Sequence, residues 1–418
     1  MKIFAVIAEF NPFHNGHKYL LDSIREKYQD AAFIAVMSGS FMQRGDAAVF
    51  DKWQRAHLAV LGGVDLVLEL PTVFAVRSAE GFAHGAISLL QNLGCVDMLC
   101  FGSENSNLDT LQEAAHILNH QLNHNILREK IKTGIPYAAA VEEILAEHMP
   151  QSGFSLKAPN TILAIEYLRA IERAQANFSA ISINRKKALH NNSTFTGLFS
   201  SASSIRKLLR AGQRNTALQK IASAIPANCY FYMQSICKSS NDIAFTENLT
   251  RSLLLKLRSL SIDRLRSFNG INNGLEYKIL QAAGQADNLA ALLNTIKSRH
   301  YHYSRLQRSL LHILLDLNKP VLDNFDHQGP SYIRVLAFNR NGRKILKKLK
   351  TTSSLPVILK TTNFTTQKQF WRKTGDALQQ MLFYDILATD LHALSYNKIR
   401  PAGRDFCTSP FYWDDSLI

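Results

Sequence analysis

The chain has 418 residues, a net charge of +15 and five cysteines. This length predicts two or three domains. The cysteines are odd in number and lack disulfide or metal spacing, which is typical of reduced thiols in a cytoplasmic protein. No apolar stretch is long enough to span a bilayer, and Met1-Lys2 leads directly into a strand pattern. We therefore expect neither a membrane segment nor a signal peptide.

The positive charge is confined to one half of the chain. Residues 1–200 carry 17 Lys and Arg against 19 Asp and Glu, a net charge of −2. Residues 201–418 carry 31 against 14, a net charge of +17. Clustered basic residues are the expected footprint of nucleic-acid contact. The asymmetry predicts a catalytic half and a half that meets a polyanion.

The first half alternates short apolar runs with helical patterns. Strand-like runs occupy residues 2–8, 32–37, 65–70, 97–101 and 180–183. Helical patterns lie between them, at residues 51–61, 78–93, 108–131 and 161–172. This alternation predicts an α/β fold with a Rossmann-like, doubly wound parallel sheet. Ligands of such sheets bind at the carboxyl ends of the strands.

From about residue 210 onward, the pattern predicts a mostly helical, basic C-terminal region. Long amphipathic segments lie at residues 251–260, 274–283 and 306–317. A shorter mixed part follows, with strands predicted at 332–338 and 356–359 and helices at 342–349 and 376–394. We therefore divide the chain into residues 1–210 and residues 211–418.

The segment from Phe10 to Tyr19 reads Phe-Asn-Pro-Phe-His-Asn-Gly-His-Lys-Tyr and joins the first strand to the first helix. The unpaired backbone N–H groups of a helix N-terminus favour an anion. Gly16 has no Cβ and lets a nucleotide approach the backbone, while His14 and His17 can donate hydrogen bonds to a phosphate under attack. The segment favours nucleotidyl transfer on the α-phosphate of a nucleoside triphosphate. As alternatives, the two histidines could bind zinc or simply cap the helix. A zinc site would need further Cys, His or carboxylate ligands, and this turn contains none.

Two further segments place cations and a helix start near the same edge of the sheet. Four serines at 200, 201, 203 and 204 precede Ile205 and Arg206, a pattern that predicts a helix cap and an anion site. An ordinary cap is the alternative. Arg185 and Lys186 follow the last predicted strand of the first half, where ligands of such sheets bind. A solvated charge run is the alternative there.

The loop at residues 38–46 contains two glycines and is expected to turn sharply over the pocket. Asp51 is expected to cap the helix that follows. Lys52 and Arg55 would then point back to this loop, either to orient an acceptor substrate or to pair with Asp46 and Asp51.

Three histidines, His116, His120 and His124, recur every fourth residue and share one helix face. No carboxylate or cysteine in this segment completes a ligand set. We interpret them as a polar surface stripe and predict no metal site.

Two segments of the basic half have the composition of RNA-contacting surfaces. Residues 297–308 interleave cations with aromatic rings, which suits phosphates and unstacked bases. Residues 340–350 predict a helix with a dense basic face. A solvated charged face is the alternative for each. The candidates for RNA contact are Arg299, Arg305, Arg308, Arg343, Lys344 and Lys347.

With these residues in place, the chain resembles the bacterial tRNA(Met) cytidine acetate ligases, a branch of the HxGH nucleotidyltransferases. The resemblance covers nearly the whole chain and is most specific at residues 7–20, 38–46, 51–53, 63–71, 101–104 and 201–206. It implies an HxGH catalytic domain at residues 1–210 and a tRNA-binding region at residues 211–418. It also implies an enzyme that uses ATP and Mg²⁺ to activate acetate as acetyl-adenylate. That enzyme would then acetylate N4 of the wobble cytidine of elongator tRNA(Met).

The resemblance, together with the serine segment, assigns the site residues. His14 and His17 are the expected catalytic residues, and Arg185 and Arg206 would hold the leaving pyrophosphate. The expected ATP-binding residues are Ile7, Ala8, Glu9, Phe10, Asn11, Pro12, Phe13, His14, Asn15, Gly16, His17, Lys18, Tyr19, Leu20, Gly102, Asn160, Arg185, Lys186, Ser203 and Arg206.

Two functions of other classes compete with this interpretation. An HxGH adenylyltransferase acting on a small-molecule phosphate acceptor shares the phosphate chemistry, but it leaves the basic half unexplained. A non-catalytic RNA-binding or scaffold protein explains the charge, but it gives the two histidines no role.

Overall fold

The computed structural model describes residues 1–104, 107–122, 124–132, 137–150, 156, 158–185, 195–211, 214–238, 243–298 and 301–414. Two residues assigned above, Lys186 and Arg299, lie outside these ranges. Within them, no helix combines the length and the apolar character that crossing a membrane requires.

One eight-stranded sheet runs through the structure in the order β5-β4-β1-β2-β3-β6-β7, with β8 paired to β6. The strands are β1 (Lys2–Ala8), β2 (Ala31–Ser38), β3 (Leu66–Leu70), β4 (Met98–Ser103), β5 (Ser179–Asn184), β6 (Ile333–Asn339), β7 (Val357–Ile358) and β8 (Phe411–Trp413). The pairings from β1 to β5 are all parallel, which confirms the predicted sheet. The strand order changes direction at β1, between β2 and β4. The crevice at their carboxyl ends is therefore the expected ligand site.

The helices of the first half cover the faces of this sheet. They are α1 (Asn15–Lys27), α2 (Lys52–Leu61), α3 (Thr72–Ala75), α4 (Ala79–Leu93), α5 (Leu108–His120), α6 (His124–Lys132), α7 (Tyr137–His148) and α8 (Pro159–Arg173). Asp51 caps α2, as predicted, by accepting from the backbone N–H of Gln54. The single helix predicted at residues 108–131 is wrong, because α5 ends at His120 and α6 begins separately.

The second half is mostly helical and also extends the sheet. Its helices are α9 (Ala202–Arg210), α10 (Arg214–Ile221), α11 (Ala227–Ile236), α12 (Thr250–Ser259), α13 (Ile262–Arg266), α14 (Leu275–Gln285), α15 (Leu289–Ile296), α16 (Tyr303–Leu315), α17 (Lys319–Gln328), α18 (Arg340–Thr352), α19 (Gln367–Arg372), α20 (Ala377–Ala393) and α21 (Arg404–Cys407). Segments α12 to α16 share a separate leucine-rich core. β6 pairs antiparallel with β3. The division at residue 210 stays a prediction, and the sheet takes strands from both sides of it.

Helix α18 lies along the amino ends of the parallel strands. Gly342, in its first turn, packs so closely on Asp65 that a Cβ would meet the Asp65 carbonyl oxygen at 2.0 Å. Thr352, at its last turn, donates to the Leu93 carbonyl oxygen at 2.8 Å. Asp65 precedes β3 and Leu93 precedes β4, so this basic helix occupies the edge of the sheet opposite the carboxyl ends.

A buried ion network joins α2, β3, β6 and α21. Lys52 Nζ lies 2.9 Å from Glu69 Oε1 and 2.7 Å from Asp405 Oδ1. Arg334 pairs with both carboxylates, and all four side chains are at most 4% exposed. Burial raises the pKa of Glu69 to about 7, and Lys52 opposes that rise. The network fastens the end of the chain to the catalytic sheet.

Replacing Asp405 by Ala should cost about 3–5 kcal/mol of unfolding free energy, because it leaves the buried Lys52 ammonium short of one partner. Asp323, which pairs with Lys319 on the surface of α17, provides the matched control. Asp323→Ala should cost less than about 1 kcal/mol. Urea denaturation of both variants measures the difference. Equal losses would contradict a structural role for the buried network.

Candidate active site

The turn between β1 and α1 is built around two stacked histidines. His14 is the N-cap of α1, and its Nδ1 accepts from the Gly16 backbone N–H at 3.0 Å. His17 Nδ1 in turn accepts from the His14 backbone N–H at 3.2 Å. The two ring centroids are 3.9 Å apart with an interplanar angle of 25°. The histidines therefore form a capping box from two imidazoles.

These two hydrogen bonds fix the tautomer of each ring. A nitrogen that accepts from a backbone N–H carries no proton of its own, so the proton of a neutral imidazole is on Nε2. Each ring thus has an Nε2–H available as a donor, next to the unpaired N–H groups of the first turn of α1. From the sequence, capping the helix and donating to a phosphate were alternative roles for these histidines. In the structure each ring can fill both roles, because Nδ1 caps the helix and the Nε2–H group remains for a ligand.

Both histidines are held neutral. Burial, followed by the charges of Arg185 and Arg206, lowers the pKa of His14 to about 3. Burial, His14 and Arg185 lower the pKa of His17 well below its usual value. The site therefore carries its positive charge on arginines and offers neutral donors from the imidazoles.

Gly16 serves these histidines directly. A Cβ at this position would lie 2.8 Å from Cε1 and 3.0 Å from Nδ1 of His14. The glycine is needed because the capping ring of His14 folds over it, in addition to the close approach of a nucleotide that its missing Cβ would allow.

The turn at residues 9–13 is tied to its neighbours through its backbone. Arg55, which is fully buried, donates to the Glu9 carbonyl oxygen at 2.6 Å and to the Ser38 carbonyl oxygen at 2.9 Å. The Val49 backbone N–H donates to Asn11 Oδ1 at 2.8 Å. Glu9 Oε1 accepts from the Gln43 backbone N–H at 2.8 Å. Arg55 does point back to the predicted loop, whereas Lys52 belongs to the buried ion network.

A second wall of the site comes from the ends of β4 and β5. Gly102 lies against Arg185, since a Cβ there would meet Arg185 Cγ at 3.1 Å. Glu104 Oε1 accepts from Asn160 Nδ2 at 2.6 Å and lies 3.9 Å from Arg185 Nε. A Cβ on Gly102 would also lie 3.7 Å from Leu20 on α1. The structure therefore brings these four expected ATP-binding residues together, and Glu104 is the carboxylate that links two of them.

Helix α9 forms a third wall. Ser201 caps it by accepting from the Ser204 backbone N–H, which confirms the predicted cap, and Ser203 is exposed in its first turn. Arg206 Nη1 donates to the Asn11 carbonyl oxygen at 2.8 Å. The arginine is therefore attached to the histidine turn itself.

Other expected ATP-binding residues have different surroundings. Phe10, Pro12 and Phe13 are buried, and their side chains support the turn from the core. Lys18 is exposed and pairs with Asp22 at 3.1 Å. Ile7 and Ala8 form the end of β1, and Tyr19 packs near Phe199. Asn15 Nδ2 donates to the carbonyl oxygens of Leu198 and Ser223, which ties α1 to the segment before α9 and to the turn that follows α10.

The candidate RNA contacts fall on two distant surfaces. Arg305 and Arg308 lie on α16, which contacts the loop above the site. A Cβ on Gly45 would meet the Arg308 backbone N at 3.0 Å, and Gln307 Nε2 donates to Asp46 Oδ1 at 2.6 Å. Arg343, Lys344 and Lys347 lie on α18, at the opposite edge of the sheet. Of these two surfaces, the one on α16 contacts the loop whose Gln43 backbone N–H donates to Glu9, just before the histidine turn.

The histidine stripe has a local partner. His116 Nδ1 and His120 Nε2 lie 2.7 and 3.1 Å from Glu172 Oε1, on the exposed faces of α5 and α8. The helical segment that contains the histidines offers no carboxylate to complete a ligand set, but Glu172, on the later helix α8, lies against two of them. Throughout the described ranges, this is the one group of three potential metal ligands, and it is remote from the nucleotide turn.

Comparisons with known proteins agree along the whole chain. The family model for the HIGH Nucleotidyl Transferase matches residues 1–405. A tRNA(Met) cytidine acetate ligase from Syntrophomonas wolfei is 38% identical over 98% of this chain and 99% of its own length. The counterpart from Halothermothrix orenii is 37% identical over 95% of both chains. The chain belongs to the tRNA(Met) cytidine acetate ligases of the HIGH nucleotidyl transferase family.

Solved structures support this membership. Apo TmcAL of Thermotoga maritima has a TM-score of 0.89 and 32% identity, covering 99% of this chain and all of that one. The same protein bound with alpha-thio ATP has a TM-score of 0.87. The chain is thus an enzyme of this ligase family, and the α/β fold and the family predicted from its motifs are confirmed.

The neutral state of the histidines can be tested by NMR. Because the folded-state pKa of His14 lies near 3, its ring signals should not titrate between pH 8 and pH 5. The unfolded chain should titrate near pH 6.5 in urea. The unfolded state then binds more protons below pH 6.5, so His14 makes folding less favourable as the pH falls toward 3. Nitrogen-15 spectra of histidine-labelled protein should show the Nε2–H tautomer, and titration of His14 near pH 6.5 would contradict this description.

Proposed function

We propose that this enzyme uses ATP to activate acetate as acetyl-adenylate and transfers the acetyl group to N4 of the wobble cytidine of elongator tRNA(Met). The observation that carries the proposal is the pair of neutral, backbone-capped imidazoles at the helix N-terminus of a member of this family. TmcAL bound with alpha-thio ATP supports ATP as the nucleotide. The similarity to tRNA(Met) cytidine acetate ligases of other bacteria supports tRNA(Met) as the acceptor.

In the first step an acetate oxygen attacks the α-phosphorus and pyrophosphate leaves. No protein nucleophile is needed, so positioning and charge stabilisation can supply the rate enhancement. The Nε2–H groups of His14 and His17 would donate to the oxygens of the crowded α-phosphate. Because both rings are already oriented by their Nδ1 contacts, they need no reorganisation when charge develops.

Two arginines would hold the leaving pyrophosphate. Arg206 is fixed to the Asn11 carbonyl oxygen, and Arg185 lies beside Gly102 across the turn. The capped N-terminus of α9, with Ser203 exposed in its first turn, adds backbone N–H groups that favour an anion. The triphosphate would thus lie between the N-termini of α1 and α9.

Magnesium fits this arrangement as part of the substrate. In the described ranges no three carboxylate or imidazole ligands converge at the nucleotide turn. Glu9 and Glu104, the nearby carboxylates, are already engaged by Gln43 and by Asn160. Mg²⁺ commonly binds through substrate phosphates and water, so it would enter with ATP.

In the second step the cytidine N4 amine attacks the acetyl carbon, AMP leaves with the bonding electrons, and the amine loses a proton. The amine must come within about 3–3.5 Å of the acetyl carbon. An unpaired anticodon base can be splayed into such a position, whereas a paired cytidine cannot. An adenylyltransferase with a small-molecule phosphate acceptor is not favoured, because it gives the basic half no partner.

The function is tested by incubating the protein with total tRNA, ATP and labelled acetate, then digesting the tRNA to nucleosides. Label should appear in N4-acetylcytidine from elongator tRNA(Met). His14→Asn keeps an oxygen that can cap α1 but removes the Nε2–H donor. It should slow acetyl-adenylate formation by about 10²–10³.

Lys27→Ala, in the exposed last turn of the same helix, is the control and should retain full activity. Label that stays in acetyl-AMP or moves to a small thiol would favour the small-molecule alternative. A His14→Asn variant with near-normal turnover would exclude the donor role.

The α16 surface should contact tRNA phosphates. Arg305→Gln with Arg308→Gln should weaken tRNA binding and reduce the slope of log K against log salt by roughly 0.7–0.9 for each lost contact. Filter binding at several salt concentrations measures this slope. Lys368→Gln with Arg372→Gln, two exposed cations on α19, removes the same charge elsewhere. If that control lowers the slope equally, the contacts are not specific to α16.

A further inference from the structure

Two histidines of α5 and a glutamate of α8 meet on the surface of the first half of the chain. His116 and His120 are four residues apart and share one face of their helix. His116 Nδ1 and His120 Nε2 both lie against the same atom, Glu172 Oε1, at 2.7 and 3.1 Å. All three potential ligand atoms lie within 4.8 Å of one another. Neither the adenylation chemistry nor the candidate tRNA contacts use these side chains.

The donor set and its spacing suit a divalent transition metal. Two imidazole nitrogens and one carboxylate oxygen are ligands that Zn²⁺ takes in proteins, with water in the fourth position of a tetrahedron. Zn–N and Zn–O bonds of about 2.0–2.2 Å place the ligand atoms about 3.3 Å apart. The two nitrogen–oxygen distances fall short of this separation by about 0.6 and 0.2 Å. The histidine side chains are 57% and 56% exposed, so small rotations can open the space.

Each imidazole can turn a lone pair toward the ion. A ring nitrogen that donates to Glu172 carries a proton, and it binds a metal only after this proton has moved to the other ring nitrogen. In His116 the proton would move from Nδ1 to Nε2, and in His120 from Nε2 to Nδ1. Both side chains are more than half exposed, so water can satisfy the nitrogen that receives the proton.

A further set of contacts orients the carboxylate. Asn119 Nδ2 donates to Glu172 Oε2 at 2.6 Å and to the Arg169 carbonyl oxygen at 3.2 Å. Arg169 Nε donates to Asn119 Oδ1 at 3.2 Å, and the buried guanidinium is itself paired with Glu166 at 2.9 Å. One oxygen of Glu172 is therefore held by the protein, while the other faces both imidazoles. Outer contacts of this kind orient the carboxylates that bind metals.

We propose that His116, His120 and Glu172 bind one Zn²⁺ ion, which joins α5 to α8. The role of the ion is structural. Asn160, at the nucleotide site, is in the first turn of α8 and twelve residues before Glu172, which corresponds to about 18 Å along the helix. The ion would therefore hold the helix that carries Asn160 without contact to the substrates. A metal site was not predicted from the sequence because Glu172 comes 52 positions after His120.

The test uses the full-length protein without a histidine tag, after removal of metals with EDTA. Calorimetric titration with zinc chloride should show one saturable site. The melting temperature should rise with the Zn²⁺ concentration, because only the folded chain brings the ligands of the two helices together. His116→Ala and His120→Ala should each abolish the saturable site and the rise in melting temperature. Asn119→Ala, which removes the outer contact to Glu172, should raise the Zn²⁺ Kd by about 10- to 100-fold.

His327→Ala removes an exposed histidine of α17 and is the matched control, which should leave the Zn²⁺ Kd unchanged. An equal loss of affinity in this control would mean that Zn²⁺ binds exposed histidines in general, and the proposal would fail. A saturable site that survives both His116→Ala and His120→Ala would place the ion elsewhere and overturn the assignment. Binding to the parent protein without a rise in melting temperature would contradict the role in joining α5 to α8. The absence of a saturable site in the parent protein would refute the proposal outright.

Discussion

The hydrogen bonds from two backbone N–H groups to the imidazoles of His14 and His17 are the constraint on which the site depends. They start α1, set the tautomer of both rings and leave the Nε2–H groups as donors. Burial then excludes a second proton, so the donors are neutral and the charge remains on Arg185 and Arg206. Had either ring capped through Nε2 instead, that nitrogen would carry no proton to donate to a ligand. The same two rings thus satisfy the backbone N–H groups at the start of α1 and offer hydrogen-bond donors to a phosphate.

That arrangement holds only because the turn before it is fixed from outside. Arg55 is fully buried, and its partners at the turn and the adjacent loop are backbone carbonyl oxygens. A buried guanidinium with neutral acceptors is costly, and its pKa is lowered to about 10 by burial despite nearby carboxylates. Arg206 adds a contact to Asn11 from the other side. A buried charged side chain, although it is costly, thus holds the turn at residues 9–13 in place. This is expected where small displacements of the reacting groups change the rate of the reaction.

Much of this could be predicted from the sequence, for identifiable reasons. The parallel strands were predictable because apolar runs such as residues 32–37 are buried on both faces, and the caps at Asp51 and Ser201 because their signals are local. The Glu104–Asn160 contact and the Lys52–Asp405 pair were not, since they join residues 56 and 353 positions apart. The role of Gly16 could be predicted only in part. The sequence shows that this residue lacks a Cβ, but it does not show that the His14 ring occupies the space that a Cβ would need.

The two basic surfaces have different relations to the site, although their compositions are alike. Helix α16 contacts the loop at Gly45 and so adjoins the carboxyl ends of the strands, while α18 follows the amino ends. Seven residues of β1 separate these edges by about 20 Å, at roughly 3.3 Å for each residue. If both surfaces bind tRNA, α18 therefore contacts a part of the molecule about this far from the base held at the histidine turn, whereas α16 lies beside the loop that adjoins this turn.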